Sequence, residues 1–149
     1  MLDTPTLPAI RIWYESLPGV TLTKWPLVEV SITYQDQSLP QPIVALVDSG
    51  ASISILHIDV LDLLGIERKA LQVTSGGISV SGNYRSALLP HNASVSLYGH
   101  THLLRLTVID NPNLAFPCIL GEDSIFHWAR LDFQQFNGFY EIKFRRDVH

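Results

Sequence analysis

Residues 43–56 read IVALVDSGASISIL, and the one ionisable group among them, Asp48, lies between two apolar, partly β-branched runs. A carboxylate enclosed by buried strands needs hydrogen-bond donors, a charge partner or a proton. Any fold for this chain must therefore present Asp48 at a defined spot. Ser49 supplies a hydroxyl, and Gly50 lets the backbone turn sharply or approach closely. The plain structural alternative is a turn in which Asp48 accepts bonds from backbone N–H groups, since Asp-Ser-Gly is a common turn tripeptide. The flanks argue against an exposed turn, because IVALV precedes it and ISIL follows it.

The rest of the chain is a succession of short strand patterns. Pro5, Pro8, Pro18 and Gly19 punctuate an extended arm with one short strand around AIRIWYESL. In WPLVEVSITY, Val28, Val30, Ile32 and Tyr34 alternate with Leu27, Glu29, Ser31 and Thr33, which predicts a strand with one buried face. PIVALV reads as a buried strand paired with it, delivering Asp48 at its end. SISIL reads as a third strand, and HIDVLDLLGI as a short helix stopped by Gly65. KALQVT, SGG and ISVSGNYRSALL read as a hairpin with a glycine-rich tip. ASVSLYG and HLLRLTVID read as a further pair of strands, and CILG as a buried strand end. EDSIFHWARL reads as a second helix, with Glu122 and Asp123 suited to its positive N-terminus. LDFQQFNGFYEIKF reads as two strands joined by a type I′ turn at Asn137-Gly138. Short strands with one or two short helices predict a mainly β, small closed barrel-like fold. No βαβα alternation is present, which excludes a Rossmann-like sheet.

Composition narrows the function. With 149 residues the chain is sized for one core. At 46% hydrophobic and 16% charged it is too apolar to be disordered. A net charge of −4 and no basic stripe argue against nucleic acid and anionic membrane as partners. Lys143, Arg145 and Arg146 read as a solvated tail. The single cysteine, Cys118, permits no intrachain disulfide and no thiolate metal cluster; beside Pro117 it reads as core. No apolar run spans a bilayer and the N-terminus does not read as a signal peptide, so the expectation is a soluble, cytoplasmic protein without cofactor. The histidines form no HExxH pattern, and His100 and His102 read as exposed residues on one strand face. G-x-S-x-G is absent, so no serine triad is indicated. Trp13, Trp25 and Trp128 read as packing residues. DSGASIS also suggests a phosphorylation-dependent recognition motif, which requires Ser49 and Ser54 to be exposed.

A carboxylate so presented can work as half of a pair. Two carboxylates that cannot both ionise share a proton; one acts as base on a water, the other as acid on a carbonyl. VALVDSGA, then the glycine-rich VTSGGISVSG, then CILGEDSI occur in that order, with WPLVEVSI upstream. This set resembles the retropepsin-type (retroviral-like) aspartic proteases over roughly residues 24–133. The resemblance implies the retropepsin (acid protease) fold acting as a homodimer. It implies domain limits of 24–144, with 1–23 an N-terminal extension or arm and 145–149 a tail. It implies Asp48 as the catalytic residue and Ser49 as a hydroxyl locking two active-site loops across the dimer. Gly50 then offers its carbonyl to substrate, and Ala51 lines the groove. Gly76, Gly77 and Ile78 fall at the tip of a substrate-covering flap. Ile119, Leu120 and Gly121 form the structural second motif. Ser52 and Glu122 depart from the family, which often has Asp and Arg there as an ion pair.

The sequence has one Asp-[Ser/Thr]-Gly, so a complete pair requires a second copy of the chain. The activity implied is aspartic endopeptidase, with water activated between two Asp48 residues and an extended polypeptide segment as substrate. The alternative is a catalytically weak dimerisation or peptide-binding module on the same fold.

Overall fold

The computed structural model describes residues 4–17, 19, 22–71, 75–79 and 82–147. The strands are β1 (Ile10–Trp13), β2 (Leu27–Tyr34), β3 (Gln37–Ser38), β4 (Ile43–Val47), β5 (Ile55–His57), β6 (Ser75–Ser79), β7 (Gly82–Leu88), β8 (Ala93–Leu97), β9 (His100–Leu104), β10 (Thr107–Asp110), β11 (Cys118–Leu120), β12 (Ala129–Gln134) and β13 (Phe139–Phe144). Two helical turns, α1 (Val60–Leu63) and α2 (Ile125–Trp128), complete the main elements. The large sheet runs β6-β7-β10-β5-β11-β4-β2-β8-β9, with β3 beside β2, and a small sheet runs β1-β13-β12.

The alternation in β2 sets the core. Val28, Val30, Ile32 and Tyr34 are between 0% and 3% exposed, all on one face. β2 and β4 pair antiparallel with Leu27 opposite Leu46, so the hairpin does end at Asp48. Gln35 and Asp36, both left-handed at φ 46° and 67°, turn β2 into β3 before the chain returns as β4. Gly65 is left-handed at φ 69° and ends α1, as expected from its position.

Several elements differ from the sequence expectation, each for a pairing reason. SISIL is strand only from Ile55, because Ser54 turns inward to bond to other loops. HLLRLTVID splits in two. β9 pairs with β8, whereas β10 leaves for β7 and, in parallel, for β5. The predicted second helix keeps four residues, since Ala129 already belongs to β12 and pairs with Phe144. At Asn137-Gly138 the strands close at Gln134 opposite Phe139, leaving a four-residue connection with a short 3-10 turn. Only Gly138 there is left-handed, so the turn is not type I′. The amino-terminal residues read as an arm pack into the small sheet, with Ile10–Trp13 opposite Ile142–Phe139.

His102 is the sharpest departure. It is 6% exposed, stacked on Trp128 at 4.2 Å and 9°, while His100 stacks on Phe144 at 4.0 Å. The alternation of β9 holds, but its histidine face is the inward one. Among the described residues His102 Nε2 has no hydrogen-bond partner, and burial, then His100, holds its imidazole below the ordinary range. A lowered histidine disfavours the protonated folded form. Its stabilising contribution is complete above the unfolded value of 6.5 and falls as pH drops below it. His102→Phe keeps a flat ring on Trp128 and removes the titration. We expect wild type to lose melting temperature between pH 7 and 5 by more than His102→Phe does, measured by thermal denaturation; equal losses refute it.

Candidate active site

Asp48 sits where β4 leaves the sheet, and its side chain is half-buried. Its N–H donates to the Leu120 carbonyl at 3.0 Å, continuing the parallel pairing of β4 with β11. The Gly50 N–H donates to Asp48 Oδ1 at 2.9 Å, and the Ala51 N–H to the Asp48 carbonyl at 3.2 Å. The turn reading is thus correct as geometry: the carboxylate does hold a backbone N–H. The turn is nevertheless embedded, because the loop is clasped from behind.

The clasp is the turn that follows β11. Gly121 follows β11 and meets the inner side of the Asp48 loop. A Cβ on Gly121 would fall against the Ala51 carbonyl oxygen and 2.8 Å from that of Ile53, so this position is confined to glycine by space. The Glu122 N–H donates to the Ala51 carbonyl at 2.8 Å. Gly121 N–H donates to Ser54 Oγ at 2.9 Å. Ser54 Oγ lies 2.6 Å from Asp123 Oδ1 and 2.8 Å from Ser124 Oγ, and Ser124 Oγ donates to the Gly121 carbonyl at 3.1 Å. Ser54 and Ser124 are fully buried.

Among the residues expected at the site, Asp48, Ser49, Gly50, Ala51, Leu120 and Gly121 come together here. Ser49 and Gly50 are exposed and Ala51 is half-buried, so the outer face of the loop is open in the single chain. Leu120 is fully buried, whereas Ile119 points to a satellite cluster with Trp25 and Phe116. Ser52 and Glu122 are both exposed. Gly76, Gly77 and Ile78 lie along β6, opposite Arg85, Tyr84 and Asn83, not at a turn. The strands close at Ser79 opposite Gly82, so the connection falls on residues 80–81, outside the described residues. Glycine accepts extended backbone as readily as a turn, which is why SGG misplaced the tip. β10 pairs with β7 only from Arg85 to Leu88, so residues 82–84 and their β6 partners project beyond the sheet.

The trio Ser54, Asp123 and Ser124 was not singled out as a unit. The one available signal was a serine at an apolar position of ISIL. Burial of Ser54 also removes the phosphorylation reading of DSGASIS. Cys118 is a core thiol that burial, then Asp123, pushes up to about 12, which makes it a poor nucleophile.

No family model matches the sequence, and no curated protein matches it. Solved structures do match. A retropepsin-like aspartic protease from Rickettsia conorii superposes with TM-score 0.64 at 16% identity, over 91% of this chain and 98% of that one. The chain has a retropepsin fold. EIAV protease complexed with the inhibitor HBY-793 superposes with TM-score 0.51 at 25% identity, over 71% of this chain and 89% of that one. No helix among the described residues is long and apolar enough to cross a membrane.

Proposed function

We propose that this chain is an aspartic endopeptidase whose site forms when two copies bring their Asp48 carboxylates together. The observation that carries the reading is the presentation of Asp48. Its carboxylate stands at the end of a core strand, on a loop braced from behind and open in front. The likeness to two aspartic proteases supports it at the level of fold. One carboxylate cannot be base and acid in the same step, and a second copy supplies the other. The open edges of the small sheet, β1 and β12, offer backbone on which another copy can add.

In this mechanism the pair shares one proton. The ionised member takes a proton from water as it attacks the scissile carbonyl, and the protonated member gives its proton to the carbonyl oxygen. Extended substrate lies between the loops and the projecting β6–β7 hairpin, bonded through its backbone like an added strand. Ser49, exposed in one chain, bonds across the axis; the Gly50 carbonyl and Ala51 meet substrate.

The test is incubation of wild type and Asp48→Ala with a diverse peptide library, with cleavage sites read by mass spectrometry. Cleavage by wild type and none by the variant supports the reading. Equal cleavage by purified Asp48→Ala rejects it. A wild type that binds peptides and cuts none favours the binding-module alternative.

A further inference from the structure

The small sheet carries charges that the proposed chemistry does not use. On the β12–β13 ladder Arg130 lies directly opposite Lys143, and Asp132 directly opposite Glu141. Successive residues of a strand alternate between faces, so these four share one face of the sheet. Like charges directly opposite each other weaken a sheet. Exchanging Lys143 with Glu141 would give two unlike pairs from the same four residues. The chain instead sorts them into a basic row and an acidic row. The acidic row is relieved by Arg11, whose guanidinium reaches Glu141 at 3.4 Å. The basic row has no such relief: among the described residues neither Arg130 nor Lys143 makes an ion pair.

The basic row borders a groove of about 880 Å³ between residues 4–6, α2 and the β12–β13 ladder. Arg130, Lys143, Arg145 and His127 line it, Phe126 adds an apolar wall, and no carboxylate among the described residues does. Arg145 is held by Asp147 at 2.7 Å and donates to the His127 carbonyl at 3.2 Å. Arg146 donates to the Thr6 carbonyl at 3.1 Å, and the Leu7 N–H to the Phe144 carbonyl at 2.8 Å. The walls are thus tied together before any partner arrives, which lowers the cost of binding. Lys143, Arg145 and Arg146, which read as a solvated tail in the sequence, lie in or behind this wall. None of the lining residues belongs to the Asp48 loop.

We propose that this groove binds an acidic segment of a polypeptide, with carboxylates on Arg130 and Lys143 and an apolar side chain on Phe126. The inference goes beyond the protease reading. Charge complementarity selects the occupant. A planar guanidinium matches a carboxylate through two parallel bonds, and the lysine ammonium adds a second, point-like charge. A groove of this size has room for several side chains, not only for a small anion. The acidic row at Asp132 and Glu141 lies two residues further along each strand, so a long polyanion such as nucleic acid meets repulsion once it passes the basic row. The chain as a whole carries −4, so attraction for an acidic segment is local to this row.

The test uses the full chain carrying Asp48→Asn. The probe is a short dye-labelled peptide of glutamate and serine around one phenylalanine, and the control has glutamine in place of glutamate. We expect fluorescence anisotropy to show saturable binding of the glutamate peptide, weakened by added salt, and none of the control. Arg130→Glu separates binding from structure. It sets unlike charges opposite at Lys143, so the melting temperature should hold or rise while affinity for the probe falls about tenfold or more. Lys143→Gln should also weaken binding without lowering the melting temperature. Equal binding of the two peptides, binding unchanged by Arg130→Glu, or a melting temperature that falls together with binding overturns the proposal. So does tighter binding of single-stranded DNA than of the glutamate peptide. An Arg130→Glu chain that no longer pairs as its parent does in sedimentation names a second copy as the occupant and overturns it too. Cleavage plays no part in these readouts, so loss of the protease reading leaves the proposal standing.

Discussion

Asp48→Asn is expected to lower peptide cleavage by about 10³-fold or more, the range over which acid–base groups act. Asparagine neither takes a proton from water nor gives one to a carbonyl. Its side-chain oxygen still accepts the Gly50 N–H, which Asp48 Oδ1 now holds at 2.9 Å, so the turn and the fold survive. The distinctive outcome comes from mixing. If two chains share one site, equal amounts of wild type and variant, allowed to exchange, leave about one quarter of the pairs with both aspartates. Activity should therefore fall to roughly a quarter of that of a wild-type sample of the same total concentration. A fall to about half, the value for sites housed in single chains, rules out a shared site. Sedimentation of the variant gives the accompanying check, since it should pair as wild type does.

Gly121→Ala should be the most damaging single change to the fold, at about 3 kcal/mol or more, because two carbonyls occupy the space a methyl needs. The obstruction is backbone on both sides, Ala51 and Ile53, and neither can rotate away as a side chain would. Relief requires the Asp48 loop to move off the clasp. That motion lengthens the Glu122 N–H bond to Ala51 and the Gly121 N–H bond to Ser54, now 2.8 and 2.9 Å. Urea denaturation measures the loss. A Gly121→Ala chain within about 1 kcal/mol of wild type contradicts the packing argument.

Local chemistry was readable along the chain wherever it determines structure by itself. The alternation in β2 predicted its buried face, the apolar flanks marked Asp48 as embedded, and Gly65 marked the end of α1. What stayed hidden depends on partners far away in sequence. Ser54 looks like one more residue of an alternating strand until Gly121 and Asp123 arrive from 67 and 69 residues downstream. Asp123 looks like a helix-start acid, yet the helix is one turn long and its carboxyl faces Ser54. HLLRLTVID reads as one strand because nothing within it says that its halves pair with different neighbours. His102 alternates as a strand residue should, but only Trp128 decides that its side is the inside.

The parallel pairing of β4 with β11 also has a consequence for how the protein is made. Synthesis reaches Asp48 first, and the Leu120 carbonyl, Gly121 and Asp123 that hold its loop are added some seventy residues later. Parallel partners so distant close slowly and only after the intervening chain is in place. A nascent chain that stops short of residue 118 carries the DSG tripeptide without the groups that brace it. On the ribosome, Asp48 therefore waits on an unbraced loop until those residues are made. The braced loop appears only after residues 118–123 have joined the chain, which delays any chemistry at Asp48 until then.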